Sequence, residues 1–393
     1  KESRKVFLLL ISLAVYLIVL FTAKALSLVQ ALDIIPFIPA ALTAMLVATL
    51  ISTRIAIRIV FLIMLIVLTA TGFKLEPALF ALFSGLSAVS LTNLTGRRMD
   101  LIKTSCQLAV IHPIITAVLF SVFPNSYSDF IFVLFGSVVN GFISGIFVLG
   151  FLPILEDRLN TPTCFRLMEL SDLNSPTMKQ LLLTASGTYN HTMMVATLAE
   201  AACREIGADA LLARVGAYYH DIGKMENPIY FTENQKTSLN PHDQLTPEQS
   251  AKVIIKHVAD GVELAHKNKL PKRIIDFIKT HHGRSLTYYF YRKALDLNPE
   301  GTKEEDFRYP GPIPFSKETA ILMMADSVEA ATKSLKNPTF EALNEFVDRI
   351  IKKQLDDNQF ANSDISFKEI EAIKRIFKSK LTNIYHVRIE YPE

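Results

Sequence analysis

Histidine is concentrated in one part of the sequence, where its neighbours are chemically informative. Seven of the nine histidines lie between positions 191 and 282, namely His191, His220, His242, His257, His266, His281 and His282. His220 is followed directly by Asp221, and His281 by His282. A carboxylate has two oxygens that can bridge two cations, and imidazole together with carboxylate suits iron, manganese or zinc. Asp326 lies in an apolar Met-Met-Ala-Asp-Ser run, where a cation would supply the partner that a buried carboxylate needs.

Each of these features has a simpler explanation when it is taken alone. A lone buried histidine is more often a hydrogen-bonded core residue than a metal ligand, and a single His-Asp dipeptide often arises by chance. The His281-His282 pair could simply offset a helix dipole. His242 is interpreted as a loop residue and His266 as an exposed one. The combined order of His, His-Asp, His, His-His and a helical Asp is hard to obtain from independent core residues, and it therefore predicts a metal site.

Helices must position these side chains, because residues 181–393 show mainly helical periodicity and few alternating strand patterns. Capping residues and prolines predict three helix starts, at Thr246, Pro271 and about Ser316. Residues 226–245 and 297–315 are predicted to be long loops. The tail, residues 340–391, is predicted to form two amphipathic helices followed by a short strand or extended end.

The first part of the chain has the composition of a membrane domain. The chain has 41 Lys and Arg and 38 Asp and Glu residues, but only 15 of these charged residues lie within residues 1–155. A spanning helix needs about 20 mostly apolar residues. Six segments meet this condition: 6–23, 34–52, 57–73, 77–94, 104–123 and 130–155. The sequence therefore predicts a transmembrane bundle over 1–155, a junction over 156–180 and a soluble domain over 181–393.

Lysine and arginine are distributed unequally between the loops of this bundle. With the N-terminus inside, eight of them lie on the inner side and only Lys24 and Lys74 on the outer side, which places the soluble domain in the cytoplasm. The three cysteines have no paired spacing, so neither a disulfide framework nor a cysteine zinc site is indicated. His112, in the fifth segment, is interpreted as a hydrogen-bonded residue of the bundle. No row of intramembrane carboxylates indicates a transporter.

Four motifs surround the histidines and allow a family to be identified: GTYNH (187–191), YYHDIGK (218–224), FTENQ (231–235) and YPGP (309–312). With the preceding apolar segments, they resemble the seven-transmembrane HD-domain receptor family (PgpH-type), the membrane-bound cyclic di-AMP phosphodiesterases of bacteria. The resemblance covers nearly the whole chain. That family normally has an anchor helix, a large extracytoplasmic domain and seven further spans, whereas six spans are predicted here. A chain that starts after the first receptor span would explain the difference.

The resemblance implies an all-α protein, in which a polytopic transmembrane helix bundle is followed by a cytosolic all-helical HD-superfamily phosphohydrolase domain. It also implies two divalent metal ions, usually iron or manganese, although the residues alone allow zinc as well. One metal would be bound by His191, His220, Asp221 and Asp326. The second would be bound by Asp221, His257, His281 and His282, so that Asp221 is the bridge.

For function, the resemblance implies hydrolysis of cyclic di-AMP to linear pApA by a metal-activated hydroxide, with regulation through the membrane domain. Asp221 and Lys224 are the expected catalytic residues, Lys224 as a stabiliser of transition-state charge, unless it is only a surface charge at a helix end. Tyr189, Tyr230 and Phe231 are candidates for stacking on adenine, although each is as easily a core residue. The expected partners are cyclic di-AMP and the lipid bilayer, without a nucleic acid polymer. The oligomeric state is open, with a homodimer as the candidate.

Three alternatives remain open from the sequence. Related enzymes that hydrolyse cyclic di-GMP carry Gly-Tyr-Pro soon after the His-His pair, but Gly-Arg-Ser-Leu follows here and Gly-Tyr-Pro does not occur in the chain. Nucleotide triphosphohydrolases typically use a simpler single-metal set, which the three additional histidines argue against. The third alternative is a membrane receptor whose HD domain only binds a nucleotide. That all seven ligand positions are filled argues against it.

Overall fold

The computed structural model describes residues 34–92, 98–123, 130–235, 239–333 and 339–384, together with Leu17 and Phe21. These residues form α-helices joined by loops and short 3-10 turns. Within the described ranges there is no strand, and β-pairing is limited to an isolated bridge between Leu286 and Arg308. The chain divides into two compact units, Lys1–Arg166 and Leu167–Glu393. The all-α fold expected from the sequence is confirmed.

The first unit is built from apolar helices. They are α1 (Ala40–Leu50), α2 (Thr53–Ala70), α3 (Leu75–Leu91), α4 (Arg98–Val122) and α5 (Phe130–Leu159), followed by the short α6 (Cys164–Leu170) at the boundary between the units. Three of them, α2, α4 and α5, are long and apolar enough to cross a membrane, whereas α1 and α3 are shorter. Each of the last five predicted spans overlaps one of these helices. The first predicted span, 6–23, lies outside the described residues apart from two positions.

Helix α1 is the central helix of the first unit, because ten of its eleven residues are buried. A helix that is apolar on all sides is typical of the interior of a bundle. Small residues let the other helices approach each other closely. A Cβ atom added to Gly141 on α5 would lie 2.5 Å from the carbonyl carbon of Leu108 on α4. This glycine therefore permits backbone contact between the two longest helices.

His112 is a buried polar residue on α4. Its Nε2 lies 3.0 Å from the hydroxyl of Ser84 on α3, and the ring of Phe80 lies edge-on at 5.4 Å between centroids. The hydrogen-bonded bundle histidine expected from the sequence is confirmed.

Asn140 on α5 stabilises a break in the backbone just before α1. The chain passes from a 3-10 turn (Ile35–Phe37) to α1, and this break leaves carbonyl groups outside a regular helix. The side-chain amide of Asn140 donates hydrogen bonds to the carbonyls of Pro36 and Ile38, each at 3.0 Å. In a bilayer, backbone groups freed by a helix break need partners from within the protein. Asn140 is such a partner.

We expect Asn140→Leu to destabilise the membrane unit by about 1–3 kcal/mol, because two carbonyls lose their donor in an apolar environment. Thermal unfolding of the chain in detergent would measure the change. Ser121→Ala is the matched control, since the Ser121 hydroxyl is exposed and, among the described residues, bonds only the carbonyl of Val118 on its own helix. Equal melting temperatures for Asn140→Leu and the unmodified chain would contradict the prediction.

The second unit is a helical domain with one extensive hydrophobic core. Its helices are α7 (Pro176–Thr184), α8 (Ser186–Glu205), α9 (Ala210–Tyr219), α10 (Pro247–Lys267), α11 (Lys272–Thr280), α12 (Tyr288–Leu297), α13 (Lys317–Thr332), α14 (Phe340–Asp356) and α15 (Phe367–Ile384). Helix α13 is central, because it packs against α8, α9, α11 and α14 and buries eleven of its sixteen residues.

The helix starts predicted from capping residues are confirmed. Thr246 forms a capping box with Gln249 before Pro247, and Ser316 forms one with Thr319. Pro271 is the residue immediately before α11. The two amphipathic helices predicted in the tail are α14 and α15, whereas the predicted C-terminal strand lies outside the described residues. The long predicted loops contain 3-10 turns at Pro228–Tyr230, Thr232–Asn234, Pro241–Gln244 and Glu304–Phe307.

Candidate metal centre

Side chains from five helices, or from the residues directly after them, converge in the second unit. The seven predicted ligands are the ones that meet: His191 on α8, His220 and Asp221 after α9, His257 on α10, His281 and His282 after α11, and Asp326 on α13. Their ligand atoms form two groups, and within each group the atoms lie within 4.8 Å of one another. The first group is His191, His220 and Asp326; the second is Asp221, His257, His281 and His282.

Asp221 lies between the two groups. Its Oδ2 is 3.4 Å from Nε2 of His220 and 3.6 Å from Nε2 of His191. Its Oδ1 is 3.3 Å from Nε2 of His257 and 3.5 Å from Nε2 of His281. One carboxylate oxygen thus faces each group, which is the arrangement that a bridging carboxylate requires.

Asp326 also contributes to both sides of the site. Its Oδ1 lies 2.9 Å from Nε2 of His191 and 3.6 Å from Nε2 of His220. Its Oδ2 lies 3.8 Å from Nδ1 of His282, which is the most exposed of the seven ligand side chains at 24%. The centre is therefore enclosed on most sides and opens near His282.

Three of the histidines are oriented by their own backbone. The Nδ1 atoms of His220, His257 and His281 lie 2.7, 2.6 and 2.8 Å from the carbonyl oxygen three residues earlier in the chain. A carbonyl oxygen only accepts hydrogen bonds, so each Nδ1 carries the proton and each Nε2 presents its lone pair to the centre. This tautomer is the one that can bind a metal through Nε2.

The buried polar atoms at the centre lack ordinary partners. Among the described residues, neither Nε2 of His220 nor Oδ1 of Asp221 has a hydrogen-bond partner, although both atoms are buried. Buried polar groups are normally satisfied, and an exception calls for an explanation such as a bound ion. The donor set and these two atoms fit a site for divalent cations.

His191 differs from His220, His257 and His281, because its Nδ1 bonds a carboxylate instead of a backbone carbonyl. The partner is Glu329, which is 2% exposed and lies three residues after Asp326 on the same face of α13. Lys333 Nζ lies 2.9 Å from the other oxygen of Glu329. Glu329 was not among the predicted site residues, although its spacing from Asp326 was a signal that could have revealed it.

We expect Glu329→Gln to weaken metal binding about tenfold, because the histidine loses the anionic partner that raises its basicity. Competition between the protein and a chelator for Mn²⁺ would measure the change. Glu371→Gln is the control, since that side chain is 67% exposed and pairs only with Lys374 in the described structure. If both variants bind Mn²⁺ as tightly as the unmodified chain, Glu329 does not tune His191.

The electrostatics of the centre favour positive charge. Burial raises the pKa of Asp221, but the nearby Lys224 and His220 outweigh it and hold that pKa well below its usual range. Burial lowers the pKa of His220, whereas Asp221 and Asp326 raise it more strongly, to about 10. The negative charge that raises this pKa would equally favour a divalent cation, and a cation bound at Nε2 would take the place of a proton there.

Lys224 is a buried member of the site. Its Nζ lies 2.7 Å from Oδ2 of Asp221 and 2.9 Å from Oε1 of Glu233, and 5.0 Å from the centre of the Phe231 ring. Only 13% of its side chain is exposed. The alternative interpretation of Lys224 as a surface charge is therefore wrong.

The FTENQ loop packs on the start of α8, which explains the small residue in the GTYNH motif. The backbone N–H of Thr188 donates to Oδ1 of Asn234 at 3.0 Å, and the Thr188 hydroxyl donates to Glu233 at 3.2 Å. A Cβ atom on Gly187 would lie 1.8 Å from the carbonyl oxygen of Glu233. This contact holds Glu233, and with it Lys224, beside the centre. Glu233 was not among the predicted site residues, although it lies within the FTENQ motif.

The predicted aromatic residues lie in different surroundings. Phe231 is buried, with its ring 5.6 Å from that of His257. Tyr230 contacts the ring of His242 at 5.3 Å, and its carbonyl oxygen lies 2.9 Å from Nε2 of the same histidine. His242 lies in a loop, as predicted, although its side chain is buried. His266 is exposed, as predicted. Tyr189 packs against the hydrophobic core of the unit.

Tyr309 is a further aromatic residue at the centre, and it was not among the predicted site residues. Its ring stacks on that of His282, with centroids 4.3 Å apart and an angle of 29° between the planes. Burial raises the pKa of its hydroxyl, so Tyr309 remains neutral. Its position at the start of the YPGP motif was the available signal.

Comparison with known proteins agrees with this geometry. Residues 1–163 match the family profile described as a 7TM receptor with intracellular HD hydrolase, and residues 188–331 match that of the HD domain. The cyclic-di-AMP phosphodiesterase PgpH of Bacillus subtilis (strain 168) is 42% identical over 82% of this chain and 45% of that protein. The protein of the same name from Listeria monocytogenes serotype 1/2a is 42% identical over 80% and 44%. The chain thus spans a little under half the length of these relatives.

A solved structure covers the second unit. The crystal structure of the HD domain of the L. monocytogenes phosphodiesterase PgpH in complex with cyclic di-AMP is 49% identical, with a TM-score of 0.53. The match covers 55% of this chain and 100% of that one. A membrane helix bundle followed by an HD domain is therefore confirmed as the architecture. The chain belongs to the PgpH-type family of seven-transmembrane receptors with an intracellular HD hydrolase domain.

Proposed function

We propose that this chain is a membrane-bound, metal-dependent phosphodiesterase that hydrolyses cyclic di-AMP to linear pApA. The observation that carries the proposal is the position of Asp221, whose two oxygens face two separate groups of buried ligand atoms. The substrate is inferred from the similar HD domain that was crystallised with cyclic di-AMP.

Two divalent ions, iron or manganese, are the cofactors in this proposal. One would be held by His191, His220, Asp221 and Asp326, and the other by Asp221, His257, His281 and His282. The unpartnered Nε2 of His220 and Oδ1 of Asp221 support this assignment, as do the lone pairs that the histidines direct inward. Mixed imidazole and carboxylate ligands suit iron, manganese and zinc, so the metal itself needs measurement.

When bound, such a metal pair lowers the pKa of a water and offsets charge on the phosphodiester. Hydrolysis would form a bond from a water oxygen to phosphorus, break the bond from phosphorus to the 3′-oxygen and leave a proton on that 3′-oxygen. Lys224 contributes a buried positive charge beside Asp221, where it stabilises the negative charge that develops on the phosphoryl oxygens. Glu233 holds the ammonium group of Lys224 in place.

Binding of adenine is assigned to the aromatic residues near the centre. Of the three proposed stacking residues, Phe231 is the closest to the ligand histidines, with its ring against His257. Tyr230 is the second candidate, because its ring contacts that of His242. Tyr189 is the third candidate, because it packs on the hydrophobic core.

The HD domain is proposed to lie in the cytoplasm and to be regulated through the membrane unit. Support comes from the excess of lysine and arginine in the inner loops and from free cysteines, which are typical of a reducing compartment. Residues 1–163 also match a profile whose hydrolase domain is described as intracellular. The lipid bilayer is then a partner, six spans remain a prediction, and a homodimer is a candidate for the assembly.

The test is product identification together with metal analysis. The full chain, purified in detergent and supplied with Mn²⁺, should convert cyclic di-AMP to pApA and contain two metal ions per chain. Cyclic di-GMP and nucleoside triphosphates should be poor substrates. Faster hydrolysis of cyclic di-GMP would overturn the substrate assignment. Tight binding of cyclic di-AMP without any hydrolysis by the metal-loaded protein would favour a receptor that only binds the nucleotide.

A further inference from the structure

The turn directly after His282 determines where the last two ligand histidines point. Helix α11 ends at Thr280, so His281 and His282 lie beyond its last regular residue. Gly283 follows with φ +51°, a conformation that reverses the chain and that favours glycine. A small shift of this turn would move both imidazoles. Contacts from other parts of the domain are therefore needed to fix its position.

Gln359 contacts the turn from the loop between α14 and α15. Its Oε1 accepts a hydrogen bond from the backbone N–H of Arg284 at 2.9 Å, and the side chain is 1% exposed. A Cβ atom at Gly283 would lie 2.2 Å from the same oxygen. Glycine at this position therefore lets the amide of Gln359 lie directly against the backbone.

The contact is part of a closed ring of hydrogen bonds. Nε2 of Gln359 donates to Oδ2 of Asp357 at 2.8 Å, and Nη1 of Arg308 lies 3.3 Å from that same oxygen. Nη1 of Arg308 also donates to the carbonyl of Arg284 at 2.7 Å. Both the N–H and the C=O of Arg284 are thus held, two residues after His282.

The ring joins two regions of the chain that are far apart in sequence. Gln359 and Asp357 lie outside residues 188–331, the segment that matches the HD-domain profile. The third side chain of the ring belongs to Arg308. This residue directly precedes Tyr309, whose aromatic ring stacks on His282. The loop of the C-terminal helix pair therefore contacts the turn that directly follows the two candidate ligand histidines.

We propose that Gln359 is a positioning residue for the ligand group formed by Asp221, His257, His281 and His282. It fixes the turn that carries His281 and His282 and so prepares this group for its metal. The inference rests on the proposed two-metal function. It assigns Gln359 no contact with the substrate and no role in the other group of ligands.

The test compares two buried amides in the full-length chain. Gln359→Met keeps about the same side-chain volume. It removes both the acceptor for the N–H of Arg284 and the donor to Asp357. We expect one of the two Mn²⁺ sites to lose about tenfold in affinity, while the other keeps its affinity. The EPR signal of a coupled manganese pair should then be replaced by that of a single ion at low Mn²⁺. Saturating Mn²⁺ should restore kcat, which a general loss of structure would not allow.

Gln354→Met is the matched control, because Gln354 is also buried near the end of α14 but bonds Met323 and Ser327 instead of the turn. We expect it to retain both Mn²⁺ affinities. Unchanged affinities in Gln359→Met, or an equal loss in Gln354→Met, would overturn the inference. If Gln359→Met does not fold, Asp357→Ala decides, since that side chain is 37% exposed and its removal opens the ring.

The unmodified chain separates failure of this inference from failure of the proposed function. If it binds fewer than two Mn²⁺ or does not cleave cyclic di-AMP, the two-metal phosphodiesterase is wrong. The other case is that the unmodified chain binds two Mn²⁺ and cleaves cyclic di-AMP. If Gln359→Met then matches its activity at every Mn²⁺ concentration, only the role of Gln359 is wrong.

Discussion

Asp221→Ala is expected to abolish turnover of cyclic di-AMP, a loss of at least about 10³-fold in kcat, while the protein still folds. Asp221 lies between the two ligand groups, since its oxygens lie 3.3–3.6 Å from four different imidazoles. Its removal takes a ligand from each proposed metal. His220→Ala should abolish turnover as well, because it removes a ligand beside Asp221.

Steady-state hydrolysis, metal content and circular dichroism of the purified variant would check this result. The chain offers a close control in Asp243, which also follows a histidine but is exposed in a loop. Asp243→Ala should keep both the activity and the metals. Full activity in Asp221→Ala would show that the metal assignment is wrong.

Lys224→Met is expected to reduce kcat by about 10²–10³-fold and to leave the metal content unchanged. The ammonium group lies 2.7 Å from Asp221 and is 13% exposed, so its charge acts in a largely dehydrated site. Methionine keeps most of the packing against Phe231 but carries no charge. The loss should therefore appear in kcat more than in KM.

Lys256→Met is the control for this experiment. Lys256 also pairs with an aspartate, Asp260, at 2.9 Å, but its side chain is 64% exposed, and we expect no change in kcat. Metal analysis of Lys224→Met is needed beside the kinetics. A variant that loses both metal and activity would show that Lys224 maintains the ligand geometry and does not act on the phosphoryl group.

Local patterns in the sequence predicted most of the helical frame of the soluble unit. Thr246 and Ser316 begin helices because a side-chain oxygen followed by a helix-forming run is a local signal that needs no information about packing. The convergence of the seven candidate ligands was also predictable, since the order of their residue types is unusual. The geometric role of each residue could not be predicted. The histidine that each oxygen of Asp221 faces is determined by the packing of α8, α10 and α13.

The residues that support the ligands were missed for a related reason. Glu329, Tyr309 and Gln359 have ordinary residue types for their positions, and only their contacts with His191, His282 and Arg284 make them part of the site. Lys224 was ambiguous because burial is a property of the folded domain. In the membrane unit, hydropathy located the apolar segments, but the backbone break held by Asn140 has no simple hydropathy signal.

The hydrogen bonds from three ligand histidines to their own helices have a consequence for assembly. Each imidazole of His220, His257 and His281 is anchored by a carbonyl only three residues away, so forming the helix already sets the ring orientation. The Nε2 atoms of these imidazoles are therefore preorganised for an ion, and little conformational entropy remains to be lost when the ion binds. In contrast to a zinc finger, this domain would fold first and acquire its cations afterwards, and the same protein could be stripped and reloaded repeatedly.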